Sequence, residues 1–379
     1  MNRDIERRLK SLGTRRKGTD RIGEISLESI SEVLAKSVQE EAYTKRAPIQ
    51  KNTQYALGSM QAVDPDYTRV SLEEADRVGK QLKSGLDRKR LGVELRIQGS
   101  VAADLHIRGV SDVDLLALDA RYYRYSTNGS RSKRGEYNNP VAYDTLKALV
   151  ELRVEAERIL KAAFPGASVK TEGPKAINLT GGSLRRPVDV VPANWYDTVD
   201  FQNSTDEADR GVEILNKDIP ERILNMPFRH IGRINQRDSV SLGGMKKAIR
   251  LVKNVKQDAK EEGTRIDLSS FDIASALWHA DTSALTVGVA NELAILAEAT
   301  RFLDYLAKNQ SYARGLRVPD GSREIFDSEA KLEALILLSM EMDDLAEKVS
   351  REQETLLSAQ PLPLEQRTKV LRDAYIPNF

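Results

Sequence analysis

The sequence predicts an α+β fold in which a mixed sheet with flanking helices packs on a C-terminal helical bundle. Two runs in the first third of the chain, VELRIQGS and SDVDLLALD, are rich in the β-branched and aliphatic residues that favour strands. After Asp200, apolar residues recur at helical spacing as far as Gln353. We therefore expect an N-terminal extension at residues 1–47, a mixed core at 48–205 and a helical domain at 206–379.

Local signals indicate the individual elements in chain order. The extension contains one amphipathic run at 25–38, after a charged start that we expect to be frayed. The motif SLEE, which begins at Ser71, has the pattern of a capping box and predicts a helix that continues to Arg90. Residues 121–139, RYYRYSTNGSRSKRGEYNN, predict a surface insertion, and the apolar spacing at 143–164 predicts another helix.

Composition excludes several classes of protein. The chain has 58 Lys and Arg against 57 Asp and Glu, so its global charge favours no particular partner. It has no cysteine, which excludes disulfides, thiol nucleophiles and zinc ribbons and fits a reducing cytoplasm. The N-terminus lacks the apolar core of a secretory signal, and no window has the ~18 consecutive apolar residues of a membrane span. We therefore expect a cytoplasmic protein without a membrane partner.

Two carboxylates stand in an apolar run, where they are normally unfavourable. Asp112 and Asp114 flank Val113 at the start of a predicted strand, so their side chains would emerge on one face, about 6.5 Å apart along the backbone. An unpaired buried carboxylate is costly, and two like charges raise each other's pKa. A divalent cation would remove both costs.

A third acid and a Gly-Ser pair complete the pattern. Asp189 lies between two valines on another predicted strand. Three carboxylates from two strands suit two Mg²⁺ (or Mn²⁺) ions about 3.5–4 Å apart. Gly99 permits close approach of the backbone to phosphate oxygens, and the hydroxyl of Ser100 can donate to them.

These residues resemble the active-site pattern of the DNA polymerase beta-like nucleotidyltransferases. The stretch PVDVVPANWYDT is similar to the cyclic GMP-AMP synthase and oligoadenylate synthase branch, especially its bacterial members, the CD-NTases of antiphage signalling. The resemblance covers roughly residues 70–330. It implies a polymerase beta-like nucleotidyltransferase core, with Asp112, Asp114 and Asp189 as catalytic metal ligands, and a helical domain that closes over the donor nucleotide.

A second stretch strengthens this resemblance. MKKAIRLVKNVK, followed by SSFDIASALWHA, is similar to the helix pair that covers the donor nucleotide in cyclic GMP-AMP synthase. The resemblance implies that Lys253 and Ser270 contact the donor triphosphate and that Phe271 stacks on the donor base. Helical spacing by itself leaves Lys256 and Arg250 open as alternatives to Lys253.

The resemblance implies a metal-dependent enzyme that condenses nucleoside triphosphates into a cyclic or short linear oligonucleotide second messenger and releases pyrophosphate, in antiphage defence. Its partners would be these substrates, an effector that binds the product, and a regulatory protein or nucleic-acid activator. One alternative is a toxin-like nucleotidyltransferase that modifies tRNA or protein, with the basic insertion at 121–139 contacting RNA. The other is a catalytically silent nucleotide-binding scaffold, against which the presence of all three carboxylates argues.

Overall fold

A mixed sheet forms the centre of the front half of the chain, in a computed structural model that describes residues 3–354 and 362–377. The strands are β1 (Val93–Gln98), β2 (Val113–Tyr125), β3 (Ser168–Lys170), β4 (Ile177–Thr180), β5 (Val188–Asp197), β6 (Gly211–Asn216) and β7 (Glu221–Asn225). The strand order is β1-β2-β5-β4-β3, and β6 pairs with both β5 and β7. β2 and β5 are parallel, whereas the other neighbouring strands are antiparallel.

Helices surround this sheet and make up the back half of the chain. Those of the front half are α1 (Ile5–Lys17), α2 (Leu27–Ser37), α3 (Ala42–Arg46), α4 (Lys51–Met60), α5 (Pro65–Asp87), α6 (Gly99–Ala102), α7 (Ser130–Lys133), α8 (Thr145–Ala163) and α9 (Val199–Ser204). Those of the back half are α10 (Pro227–Val240), α11 (Gly244–Glu261), α12 (Ser270–Leu277), α13 (Thr282–Thr286), α14 (Leu293–Lys308), α15 (Gln310–Arg314), α16 (Glu329–Gln353) and α17 (Leu364–Asp373). The predicted α+β architecture is confirmed, although two strands, β6 and β7, follow residue 205, where we expected the helical part to begin.

The central strands are buried on both faces, which explains their nearly continuous apolar sequence. On one face, Leu115 and Val190 pack with α5 and α8. On the other, Leu116 packs with Val191 and with β6. Because side chains alternate along a strand, Asp114 lies on the same face as Leu116, away from α5 and α8.

The helix that precedes β1 begins earlier than the SLEE motif predicts. α5 starts at Pro65, and the carboxylate of Asp64 caps it by accepting from the backbone N–H of Asp66 at 2.8 Å. Ser71 and Glu74 are buried within the helix and do not cap it. The expected capping box was therefore wrong, because an Asp-Pro start outside the motif supplies the cap.

The N-terminal segment is docked on the helical half, not frayed as expected. Arg15 on α1 donates to Asp258 on α11 at 2.6 and 2.8 Å, and Tyr55 on α4 donates to the same carboxylate. Arg8 reaches Glu341 on α16 at 2.8 Å. These acids lie 243 and 333 positions from their arginines, so a local charge pattern could not reveal the pairing.

No helix within residues 3–354 and 362–377 has the length and apolar character needed to cross a membrane.

Candidate active site

The three predicted carboxylates lie at the same end of two adjacent strands. Asp114 is the second residue of β2, Asp189 is the second residue of β5, and the parallel register pairs the two directly. Asp112 ends the loop that precedes β2. The sheet therefore brings residues 77 positions apart into one acidic group, as their position at the start of two apolar strands indicated.

The electrostatics of this group are those of crowded, partly buried anions. Burial raises the pKa of Asp114 to about 7, and the charges of Asp189 and Asp112 contribute to the shift. Burial also raises the pKa of Asp189, although the side-chain amide of Asn178, which donates to it at 2.7 Å, opposes the shift. A cation placed among these side chains would stabilise their ionised forms.

The third carboxylate, that of Asp112, forms an ion pair with an arginine of the N-terminal segment. Arg21, in the 3-10 helix Thr19–Glu24, donates to Asp112 Oδ1 at 2.9 Å, and it also pairs with Glu24. In the part of the chain that the structure describes, no three His, Cys, Asp or Glu side chains are arranged to hold a metal ion. The donor chemistry still fits Mg²⁺ or Mn²⁺, because all three groups offer the hard carboxylate oxygens that these ions prefer.

The N-terminal segment reaches this site through the loop before β2. Gly109 N–H donates to Arg15 C=O at 2.9 Å, and Arg108 pairs with Asp20 at 2.8 Å. Gly18 has φ +73°, and a Cβ there would lie 2.8 Å from a methyl carbon of Val110. The turn after α1 is thus packed tightly against the loop that carries Asp112.

Gly99 makes the closest approach to the acidic group. It begins α6 with φ +78°, and a Cβ at this position would lie 1.9 Å from Asp114 Oδ2. Such a distance is far below van der Waals contact, so no other residue fits here without displacing Asp114. The glycine of the Gly-Ser pair therefore has a direct steric reason.

A cavity of about 670 Å³ lies between the end of the sheet and the helical half. Its lining includes these residues of the predicted site: Gly99, Ser100, Asp114, Lys253, Ser270 and Phe271. Asp112 and Asp189 lie beside Asp114 but are not part of the lining. The core contributes the acidic end of the cavity, and α11 and α12 contribute the opposite wall.

Lys253 is the basic residue of α11 that reaches this cavity. Its ammonium is buried and donates to the backbone C=O of Leu105. Burial lowers the pKa of Lys253 to about 8, and the neighbouring Arg250 adds to the shift. The two alternatives are engaged elsewhere: Lys256 donates to Leu268 C=O, and Arg250 donates to Met60 C=O at 2.9 Å.

Phe271 lies beside polar groups that sequence reasoning missed. Its ring stacks on His230 with centroids 4.3 Å apart, and the guanidinium of Arg323 lies 5.3 Å from the ring centroid. Asn225 and Asp320 also line the cavity. No motif marks these four residues, because they come from β7, α10 and the loop after α15, which meet only in the folded chain.

Ion pairs compensate most of the positive charge of the basic insertion at 121–139. Its first part continues β2 to Tyr125, whose ring stacks on Tyr137 at 4.0 Å. Its arginines form ion pairs: Arg121 with Asp119 at 2.7 Å, Arg124 with Glu213 at 2.7 Å, and Arg131 and Arg134 with Glu136 at 2.9 and 2.6 Å. This arrangement gives little support to the alternative of an RNA acceptor.

Comparisons with known proteins identify the family. The chain is 40% identical over 356 residues to cyclic dinucleotide synthase CdnE of Yersinia aleksiciae, covering 91% of this chain and 92% of that protein. It is 30% identical over 239 residues to the c-di-GMP synthase of Lachnospiraceae bacterium (strain RUG226), covering 58% and 66%. The structure of the STING-associated CdnE c-di-GMP synthase from Capnocytophaga granulosa matches with a TM-score of 0.69 at 27% identity, covering 90% and 97%.

No protein-family model matches the chain. The extent of the first similarity nevertheless confirms the predicted nucleotidyltransferase of antiphage signalling, and it favours a cyclic product over a linear one. The chain therefore belongs to the CdnE cyclic dinucleotide synthases, which are bacterial CD-NTases of the polymerase beta-like nucleotidyltransferase superfamily.

Proposed function

We propose that this protein condenses two molecules of GTP into c-di-GMP, with Asp112, Asp114 and Asp189 as ligands of two divalent ions. The observation that carries this proposal is the in-register pairing of Asp114 with Asp189 at the edge of a nucleotide-sized cavity. Two relatives, from the Lachnospiraceae bacterium and from C. granulosa, are c-di-GMP synthases. Their products support GTP as the substrate here.

The residues divide the cavity into a reacting end and a binding end. Asp112 and Asp114 would hold both ions, and Asp189 would complete the site of the ion next to the attacking hydroxyl. When bound, the ions lower the pKa of that hydroxyl and neutralise charge on the transferring phosphoryl group. The carboxylates otherwise repel the triphosphate, so substrate and metal would bind together.

The opposite wall would hold the donor nucleotide. Lys253 and Ser270 on this wall, and Ser100 on the facing sheet side, line the cavity and can donate to phosphate oxygens. Phe271 would stack on the donor base. A ribose hydroxyl of the acceptor then loses its proton to solvent and attacks the α-phosphorus of the donor. The new P–O bond forms as the bond to the β-phosphate oxygen breaks, and pyrophosphate leaves. A second transfer of the same kind closes the ring.

Positioning would contribute most of the rate enhancement. The wall formed by α11 and α12 holds the donor phosphates against the sheet, which places the α-phosphorus next to the attacking hydroxyl in one closed site. The helices that follow β7, from α10 onward, thereby act as the domain that closes over the donor. The C. granulosa relative is STING-associated, so we propose a STING-type effector as the protein that binds the product.

The test is incubation with GTP and Mg²⁺, phosphatase treatment and mass spectrometry of the resistant product. The wild-type protein should yield c-di-GMP, whereas D114N and D189N should release no pyrophosphate. D76N removes an exposed carboxylate of α5 and is the matched control, which should retain activity. Pyrophosphate release by both site variants at the wild-type rate would rule out this site.

A further inference from the structure

The end of the cavity beside Phe271 presents a carboxylate and a guanidinium on one loop. Asp320, Ser322 and Arg323, which follow α15, line the same cavity as Ser270 and Phe271. We infer that Asp320 and Arg323 recognise the edge of guanine in the donor position, an inference that rests on the proposed function. The two side chains would select the base, while the carboxylates of the sheet perform the chemistry.

Arg323 is fixed in place by the protein. Its Nη2 donates to Asp272 Oδ1 at 2.6 Å, and its Nη1 donates to Glu324 C=O at 2.8 Å. Asp272 is itself held by the capping box of α12, in which it accepts from Ser269 Oγ at 2.7 Å. A guanidinium has five N–H donors, so two bonds within the protein leave donors for a ligand. The cation is thus preorganised beside the Phe271 ring.

Asp320 offers the complementary acceptor. Its Oδ1 accepts from Ser322 N–H at 2.8 Å, which forms a turn that fixes the carboxylate. The second oxygen has lone pairs for a ligand, because an ionised carboxylate accepts on both oxygens. The loop therefore presents a fixed acceptor three residues before a fixed donor.

The hydrogen-bonding groups of Asp320 and Arg323 are complementary to guanine but not to adenine. Guanine presents N1–H and N2–H₂ donors next to the O6 and N7 acceptors, and arginine pairs with O6 and N7 in two parallel bonds. Adenine has an amino donor in place of O6 and a lone pair at N1. Arg323 would then meet a donor and Asp320 an acceptor, so the loop would reject ATP.

A buried, unsatisfied nitrogen supports a polar ligand at this end. His230 is 8% exposed, lines the cavity and stacks on Phe271, and within the described residues its Nδ1 has no hydrogen-bond partner. Burial lowers the pKa of His230 to about 4, although the charge of Asp320 opposes the shift. The imidazole is therefore neutral at pH 7 and does not repel the cation of Arg323. A base with exocyclic polar atoms would satisfy the free nitrogen.

The experiment measures base selection directly. Wild-type protein and variants are incubated with equimolar GTP and ATP, and the base composition of the product is read by mass spectrometry. Binding of non-hydrolysable GTP and ATP analogues is measured by calorimetry in parallel. D320N preserves the turn but replaces an acceptor oxygen with a donor, so its preference for GTP should fall about 5- to 150-fold.

A second variant separates recognition from folding. R323K keeps a cation opposite Asp272 but loses the planar fork, so it should also lose preference for GTP while the protein stays folded. E333A is the matched control, because Glu333 is exposed and does not line the cavity. Its preference should equal that of the wild type.

The outcomes distinguish this inference from the proposed function. If the wild type makes c-di-GMP while D320N and R323K retain its full preference for GTP, the assignment of these two residues is overturned and the function stands. If the wild type neither binds the GTP analogue nor forms a guanine-containing product, the proposed function fails, and this inference fails with it.

Discussion

The ion pair between Arg15 and Asp258 joins the N-terminal helix α1 to α11, the helix that carries Lys253. Both side chains are 1% exposed, and the guanidinium donates to the carboxylate at 2.6 and 2.8 Å. Burial by itself lowers the pKa of Arg15, but the hydrogen bonds and charge of Asp258 raise it above its ordinary value. Arg15 therefore remains a cation, and Asp258 depends on it for compensation.

Replacing Arg15 with methionine keeps much of the side-chain volume and leaves the Asp258 carboxylate buried without its cation. Removing one partner of a buried pair costs about 3–5 kcal/mol. Tyr55 still donates to Asp258, so we expect the lower end of this range. The free energy of unfolding of R15M, measured by urea denaturation and circular dichroism at pH 7, should fall by about 3 kcal/mol.

The loss of unfolding free energy in R15M should also depend on pH. Burial raises the pKa of Asp258, and R15M removes the cation that opposes this shift. A carboxyl whose folded pKa is raised contributes full stability below its unfolded pKa of about 4 and loses it as the pH rises through the folded value. The difference between R15M and the wild type should therefore be smaller at about pH 5 than at pH 7.

R69M provides the control, because Arg69 is 58% exposed in its pair with Glu73. Solvent screens such an exposed pair, so this variant should unfold close to the wild type. Equal unfolding midpoints for R15M and R69M would refute the view that this pair anchors the N-terminal segment.

Three further predictions concern the site itself. R21Q removes the cation that pairs with Asp112, so the affinity for Mn²⁺ in the absence of nucleotide, measured by electron paramagnetic resonance, should rise severalfold. Unchanged affinity would mean that Arg21 does not compete with the ion. G99A should abolish pyrophosphate release while the far-ultraviolet circular dichroism stays native, because its Cβ would overlap Asp114; an active G99A would contradict the close approach. Burial lowers the pKa of Lys253 to about 8, with Arg250 contributing. Metal-free affinity for a non-hydrolysable GTP analogue should therefore fall as the pH rises through about 8, and K253M should flatten this profile; parallel profiles would exclude the ammonium as a phosphate contact.

The residues near the acidic group were predictable because each stands in a local pattern. Asp114 and Asp189 are isolated acids in apolar strands, and such acids require a compensating charge. Gly99 and Ser100 follow a strand directly. The family resemblance added Lys253, which helical spacing by itself did not distinguish from its neighbours.

Other features depend on contacts that no local pattern encodes. Arg21 reads as one more charge in a basic segment, yet it lies 91 positions from its partner Asp112. Arg323 similarly reaches Asp272 across 51 positions. The Asp-Pro start of α5 is present in the sequence, but the SLEE motif also has the pattern of a helix start, and it led to the wrong prediction. Sequence patterns therefore predicted the acidic residues that the sheet brings together, whereas the positioning groups around them required the fold.

The most direct test of the metal assignment is anomalous diffraction from crystals grown with Mn²⁺ and a non-hydrolysable GTP analogue. We expect anomalous peaks within coordination distance of the carboxylates of Asp112, Asp114 and Asp189, with the triphosphate between them and Lys253. Manganese bound elsewhere, with those three carboxylates free of it, would contradict the account.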